Sequence, residues 1–140
     1  GRPAFEPGDL ASAERKLNMS YAASPEHAEI NFAQGNLQLA RDRIGSAKNF
    51  YRTTLELDPH HAGAFNNLGV IALRENRFNL AAEFFQRALR YSPVDGKLYY
   101  PLAQAHLRAG DRLSAKSDIA RALSVDPQRP EFRDLEQALR

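Results

Sequence analysis

The sequence of 140 residues contains no cysteine, no tryptophan and a single methionine. Without cysteine it can form neither disulfides nor thiolate metal sites, and this absence does not select a compartment. No apolar run approaches the roughly 18 residues of a membrane span, so no membrane insertion is expected. The start, GRPAFEPGDL, lacks the basic and apolar regions of a secretory signal. A removed signal and an excised fragment both fit this start, which leaves the localisation open between cytoplasm and periplasm.

The sequence also lacks a large excess of positive or negative charge. The formal net charge is +2 and the pI is about 9.1. This balance is too mild to indicate an RNA-reading repeat protein or any other nucleic-acid binder. A hydrophobic content of 43% and a charged content of 26% are ordinary for one soluble globular domain. The bias towards arginine and alanine is typical of a GC-rich bacterial genome.

Four of the prolines recur every 34 residues, at Pro25, Pro59, Pro93 and Pro127. Small residues and bulky apolar residues repeat in columns of the same period: Ala13, Ala47, Ala81 and Ala115, and Leu17, Tyr51, Phe85 and Ile119. Several columns with one period predict a repeat architecture. We expect a single domain with complete repeats at residues 28–61, 62–95 and 96–129. An incomplete repeat at 8–27 precedes them, and a capping helix at 130–140 follows.

Each complete repeat contains two stretches with helical spacing. In the first stretch of residues 62–95, apolar or small residues at i, i+3, i+4 and i+7 form one helix face: Phe65, Leu68, Gly69 and Ala72. A second helix follows the polar residues 75–77 and is ended by Pro93. Two antiparallel helices can approach closely where side chains are small, as at Gly69 and Ala81. Each repeat is therefore predicted to be a helical hairpin that stacks on its neighbours.

The two ends and the third repeat depart from this pattern. In the incomplete repeat, Gly8 and Asp9 are expected to form a loop before one amphipathic helix. In the third repeat, Pro101 lies within the first helix and is expected to delay or kink it. The capping helix places apolar residues on one face, Phe132, Leu135 and Leu139.

Residues 62–95 resemble a tetratricopeptide repeat (TPR). The signature columns of that family are matched by Phe65, Leu68, Gly69, Ala72, Ala81, Phe85, Ala88 and Pro93. Residues 28–61 carry Asn31 and Gln34 where a large aromatic residue and a leucine are usual, and the third repeat carries Ala103 in place of the glycine. The resemblance implies an all-α fold, an α-α superhelix or TPR solenoid of about eight antiparallel helices.

No catalytic or metal site can be assembled from the sequence. Adjacent His60 and His61 could bind a metal loosely, but no further ligand lies nearby in the period, and His27 falls in the equivalent turn. His106 shares a column with Ala72 and is expected in the core. Neither a Ser/His/Asp or Cys/His arrangement nor a phosphate-binding glycine loop is present. We therefore expect no enzymatic activity, no cofactor and no metal.

The resemblance implies a concave groove, lined by the first helix of each repeat, that holds a peptide or a helix of a partner protein. The residues expected to line it are Asn36, Asn66, Asn67, Val70, Arg74, Lys97, Tyr100, Gln104 and Arg108. Their amide and guanidinium groups can pair with a bound backbone or carboxylate. Similar repeats that clamp the acidic carboxy-termini of chaperones use basic residues where this sequence has Phe32, Tyr100 and Gln104. That activity is therefore not expected.

Two functions remain open from the sequence. The first is a protein–protein interaction scaffold that binds a segment of a partner. The second is a substrate-presenting or oligomerising arm of a larger bacterial enzyme or secretion or assembly component. Leu10 and Leu17 of the incomplete repeat lack a partner helix, which favours self-association of the chain through this edge.

Overall fold

The computed structural model describes residues 7–92 and 96–140. Within these ranges the chain has eight α-helices and no β-strand. The helices are α1 (Pro7–Ala23), α2 (Ala28–Ala40), α3 (Ile44–Leu57), α4 (Ala62–Arg74), α5 (Phe78–Tyr91), α6 (Tyr99–Arg108), α7 (Arg112–Val125) and α8 (Pro130–Ala138). A 3-10 turn, Gly96–Leu98, directly precedes α6. The chain forms two compact units, one up to Pro59 and one from His60 onward.

The periodic prolines mark the ends of four helices. The helices α1, α3, α5 and α7 each end two residues before one of these prolines, at Ala23, Leu57, Tyr91 and Val125. A proline disfavours helical geometry in the residue before it, and this accounts for the common end point. The expected stop after the second helix of each hairpin is confirmed. Pro93 and Asp95, at the end of the predicted second repeat, lie outside the described residues.

The two helices of each pair are joined by a tight turn with one left-handed residue. Asp42, Asn76 and Gly110 have φ values of 58°, 60° and 89°. The residue after each of them donates its N–H to a carbonyl five positions earlier, as in Arg77 to Ala72 at 2.8 Å. This bond satisfies a carbonyl that the helix end would otherwise leave unpaired, and it reverses the chain within three residues.

Close packing between the helices of a pair depends on a small residue facing a ring. In the first unit, a Cβ added at Gly35 would lie 2.5 Å from the ring of Tyr51. In the second unit, a Cβ at Gly69 would lie 2.7 Å from the ring of Phe85. Both rings are completely buried. The expected close approach of the paired helices is therefore confirmed.

The first unit packs α2 against α3 and α1 against α2, and it buries polar residues at this second contact. Asn31 is buried and donates to the carbonyl oxygens of Pro25 (2.8 Å) and His27 (2.9 Å). Gln34, also buried, donates to Asn18 of α1 at 3.1 Å. These hydrogen bonds explain how the two polar residues occupy positions where the resemblance implies apolar ones.

The second unit contains two helix pairs and a terminal helix. The pair α4 and α5 and the pair α6 and α7 pack internally, α6 also packs on α5, and α8 packs on α7. At the carboxy-terminal end, Phe132 and Leu139 enter a buried cluster with Ala103 and Ile119, and Leu135 packs against it. The apolar face expected for the capping helix is confirmed.

The start of α1 differs from the expectation. Gly8 and Asp9 were expected to form a loop, but the helix already begins at Pro7. Proline is favoured at the first helical position because its missing N–H needs no partner there. Asp9 then lies in the first turn, where a negative charge interacts favourably with the helix dipole. This expectation was wrong.

The start of α6 agrees with the expected effect of Pro101. The helix has 10 residues, whereas α2 and α4 have 13 each. The chain before it, Gly96–Leu98, is in 3-10 geometry. Pro101 therefore occupies the first turn of α6, where no intrahelical N–H bond is lost.

Replacing Gly69 by alanine should lower the free energy of unfolding by about 1–3 kcal/mol, because the added methyl group overlaps the buried ring of Phe85. Gly45→Ala is the matched control, since no atom lies within 4 Å of a Cβ at that position and alanine is the better helix former. Urea unfolding of both variants measures the difference. A Gly69→Ala midpoint equal to that of the wild type would contradict the close packing.

Candidate functional site

The nine residues predicted to line a groove all reach the surface. Four are exposed, namely Asn36, Arg74, Lys97 and Arg108, and five are half-buried, namely Asn66, Asn67, Val70, Tyr100 and Gln104. Eight of them lie in the second unit, on α4, the 3-10 turn and α6. Asn36 lies on α2 in the first unit, where its side-chain oxygen accepts a hydrogen bond from the Tyr51 hydroxyl at 2.7 Å.

A cleft in the second unit brings two of the predicted residues together. Gln104 and Arg108 of α6 line it with Leu73 of α4, Leu107 of α6 and Leu135 of α8. Its volume is about 260 Å³. The three leucines are half-buried, so their side chains are partly open to a ligand. The cleft thus combines an apolar wall with one amide and one guanidinium group.

Leu73 was expected only to flank the groove, and Leu107 and Leu135 were not expected there. The sequence contains a pattern that relates two of them, because Leu39, Leu73 and Leu107 are spaced by the same 34 residues as the prolines. Leucine at a periodic position is more often a core residue, so the period alone does not separate a core leucine from one in an open cleft.

The guanidinium group of Arg108 is held by neutral neighbours. It lies 4.5 Å from the centre of the Phe78 ring, and its Nη2 donates to Asn76 Oδ1 at 3.5 Å. Because a cation–π contact leaves the positive charge uncompensated, Arg108 can still bind an anionic group of a ligand.

The polar residues of α4 and the aromatic residue of α6 are also fixed by neighbours. The Asn66 side-chain amide donates to Asn67 Oδ1 at 3.2 Å. The ring of Tyr100 lies 5.2 Å from that of Phe132 on α8. These contacts limit the rotamers of the groove side chains before any ligand binds, which lowers the entropic cost of binding.

A histidine and an aspartate meet inside the second unit. His106 Nδ1 and Asp118 Oδ2 are 2.6 Å apart, and Asp118 is only 6% exposed. On the other side of the imidazole, Nε2 lies 3.5 Å from Gln86 Nε2. A histidine oriented by a carboxylate occurs in hydrolases, but the group facing Nε2 here is an amide and not a nucleophile. The structure places His106 at the edge of the core, with its side chain 13% exposed, and its partner Asp118 was not foreseen.

His60 and His61 have structural contacts. His61 Nδ1 accepts a hydrogen bond from the Ala64 N–H at 3.0 Å and caps α4. The ring of His60 stacks on that of Tyr91, with centroids 4.4 Å apart. Over residues 7–92 and 96–140 there is no cluster of three or more side chains able to hold a metal ion. No helix in the same ranges is long and apolar enough to cross a membrane.

Opposite pKa shifts are expected for Asp111, the N-cap residue of α7, and Asp118 on α7. Burial raises the pKa of Asp118 above the ordinary 3.8, although the hydrogen bond with His106 acts against it. Hydrogen bonds from Ser114, first from its hydroxyl and then from its backbone N–H, lower the pKa of Asp111. Folding thus favours the protonated form of Asp118 and the ionised form of Asp111.

Carbon-detected NMR titration of the two carboxyl groups should give a midpoint above 3.8 for Asp118 and below 3.8 for Asp111. By linkage, the contribution of Asp118 to stability is fully present below 3.8 and is lost as the pH rises through its folded pKa. That of Asp111 is present above 3.8 and is lost as the pH falls. The free energy of unfolding of the wild type minus that of Asp118→Asn should fall as the pH rises through this range. The same difference for Asp111→Asn should increase as the pH rises. Equal midpoints would show that Asp118 is not desolvated.

Comparison with known proteins gives the family. Two family models, both described as tetratricopeptide repeat, match residues 32–95 and 72–139. The crystal structure of MamA aligns with 94% of this chain and with 77% of the MamA chain, with a TM-score of 0.84 and 20% identity. A structure titled "First TPR of Spaghetti (RPAP3) bound to HSP90 peptide SRMEEVD" aligns with 80% of this chain and with 89% of its own length, with a TM-score of 0.75 and 20% identity.

Among curated proteins, Superkiller protein 3 of Schizosaccharomyces pombe is 29% identical over 117 residues, which is 80% of this chain and 8% of that protein. The chain spans 8% to 19% of the length of the curated relatives that it matches. The predicted all-α fold of the TPR solenoid class is confirmed by the eight helices and by these structural neighbours. The family models together match residues 32–139, and the chain belongs to the tetratricopeptide repeat family.

Proposed function

We propose that this protein-interaction scaffold binds a segment of a partner protein along α4 and α6, the first helices of the repeats in its second unit. The observation that carries the proposal is the open cleft between α4, α6 and α8, with its leucine wall and its guanidinium group. A binding surface for a peptide needs apolar area for affinity and a few fixed polar groups for orientation. The residues of the proposed groove supply both kinds of group.

The polar residues of the groove suit a peptide backbone. Asn66, Asn67 and Gln104 are half-buried, and their amides can both donate and accept hydrogen bonds. A ligand that covers them shields these bonds from water, which increases the contribution of each bond to affinity. Exposed Arg74 and Lys97 would attract a partner of opposite charge and raise the association rate.

The ligand is expected to differ from the free carboxy-terminus of a chaperone. The related RPAP3 domain was solved with the HSP90 peptide SRMEEVD. This chain has Tyr100 and Gln104 at positions that are basic in repeats of that kind, and Tyr100 instead packs against Phe132. We therefore propose an internal segment of the partner, either extended or helical, as the ligand.

Groove variants should weaken peptide binding without unfolding the chain. Asn67→Ala should weaken binding by about 1–3 kcal/mol if its amide pairs with the ligand backbone away from water. Arg74→Ala with Arg108→Ala should slow association and reduce its salt dependence, with stability changed by only about 0.5 kcal/mol. Surface plasmon resonance with peptides selected on the wild type from a random display library measures all variants.

The matched control for the arginine variants is Arg90→Ala, because Arg90 is exposed on α5, away from the first helices. Its binding should equal that of the wild type. If Arg90→Ala and the groove variants bind the selected peptides equally, the ligand lies elsewhere and the groove proposal fails.

The alternative function, an oligomerising arm of a larger assembly, is favoured by the surface of α1. Leu10 and Leu17, seven residues apart on one face of α1, are only half-buried. An apolar strip of this kind is a candidate contact between copies of the chain.

Sedimentation at high concentration should then show dimers for the wild type and monomers for Leu17→Glu. Met19→Glu is the matched control, because Met19 is 74% exposed on the opposite side of α1, and it should dimerise like the wild type. A monomeric wild type would remove self-association from consideration.

A further inference from the structure

The leucine-lined cleft has the size of a side-chain pocket. Its volume of about 260 Å³ lies near the lower end of the range of about 300–1,000 Å³ that is usual for small-molecule and cofactor sites. Its walls come from three different helices through Leu73, Leu107 and Leu135. An aliphatic side chain that enters would therefore contact apolar atoms on several sides, whereas a larger ligand would remain mostly outside.

The charge beside the pocket is positive and fixed in place. Arg108 forms part of the lining, and its guanidinium group is held by Phe78 and Asn76. Arg74 directly follows Leu73 and is exposed. On α8, Leu135 is flanked in sequence by Asp134, which is exposed, and by Glu136, which pairs with Arg140 at 3.6 Å. Positive charge thus accompanies the α4 and α6 walls, and an anionic group of a ligand is favoured there.

We propose that this cleft is an anchor pocket for one aliphatic side chain of the partner segment, followed or preceded within one helical turn by an aspartate or glutamate that binds Arg108. The proposal rests on the proposed function, and it specifies the chemistry of the partner. The aliphatic side chain supplies affinity by leaving water, and the carboxylate supplies direction along the groove through a charge-assisted hydrogen bond.

The test begins with a display library of random 12-residue peptides selected on the wild-type chain. The selected peptides should share Leu, Ile or Met with an acidic residue no more than four positions away. Leu73→Ser should weaken their binding about tenfold, a typical loss for an anchor contact. Leu113→Ser is the matched control, because Leu113 is 80% exposed on α7 and lies outside the cleft. It should bind like the wild type.

Further variants separate the pocket from general destabilisation. Gln104→Phe narrows the cleft without removing a leucine and should also weaken binding about tenfold. Arg108→Ala should weaken the same peptides about fivefold at low salt, and the difference should shrink at high salt. Methyl NMR of the complex should shift the signals of Leu73 and leave those of Leu113 unchanged, which locates the peptide even if a variant is unstable.

The outcomes distinguish this proposal from the groove proposal. If selected peptides depend on Asn67 but lack the aliphatic–acidic pair and are insensitive to Leu73→Ser and Gln104→Phe, the anchor pocket is refuted and the groove remains. If no peptide is enriched over a selection on Asn67→Ala with Arg74→Ala, both proposals fail. Binding that shifts Leu113 and not Leu73 also refutes the pocket.

Discussion

The contact between a small residue and a large one at each helix pair is the constraint on which the rest of the structure depends. Gly35 lies against Tyr51 and Gly69 against Phe85, with no room for a Cβ. In the third pair, Ala103 takes the place of the glycine and Ile119 takes the place of the aromatic ring. Both residues are buried in one cluster. The combined volume at the contact is thus roughly kept, as dense packing requires. Since one face of each first helix is committed to this contact, only the remaining surface of that helix is left to solvent.

The same geometry explains why apolar groups line the cleft. Leu73 and Leu107 follow Gly69 and Ala103 by four residues, so each lies one turn further along the same side of its helix. At that point the paired helix no longer covers the side chain completely, and each leucine remains half-buried. Leu73 and Leu107 therefore each lie at the boundary between the buried core of a hairpin and its exposed surface. This dual position gives the cleft walls that are rigid, because their backbones belong to packed helices.

Most of the fold was predictable from the sequence because residues recur with two periods. Prolines, small residues and bulky residues recur every 34 residues, and apolar residues within each helix recur with a 3.6-residue spacing. The left-handed turn residues were less visible, since Asp42 and Asn76 occupy a conformation more often signalled by glycine. The loop expected at Gly8 failed because a preceding proline can start a helix. The pair of His106 and Asp118 was missed because the two positions are twelve residues apart and only the packing of α6 on α7 brings them together. The groove residues could be placed on a helix face, but which of them share a cleft depends on how three helices meet.

The buried polar groups have a consequence for the order in which helices assemble. The hairpins present similar faces of alanine and bulky apolar residues, so hydrophobicity alone would let one hairpin stack on several others. Gln34 of the α2–α3 pair finds its acceptor on α1, outside that pair. A different helix in the place of α1 would leave the Gln34 amide buried without this partner, at a cost of about 1–3 kcal/mol. The Gln34 amide therefore favours α1 as the neighbour of α2, and it disfavours the exchange of hairpins with another copy of a repetitive sequence.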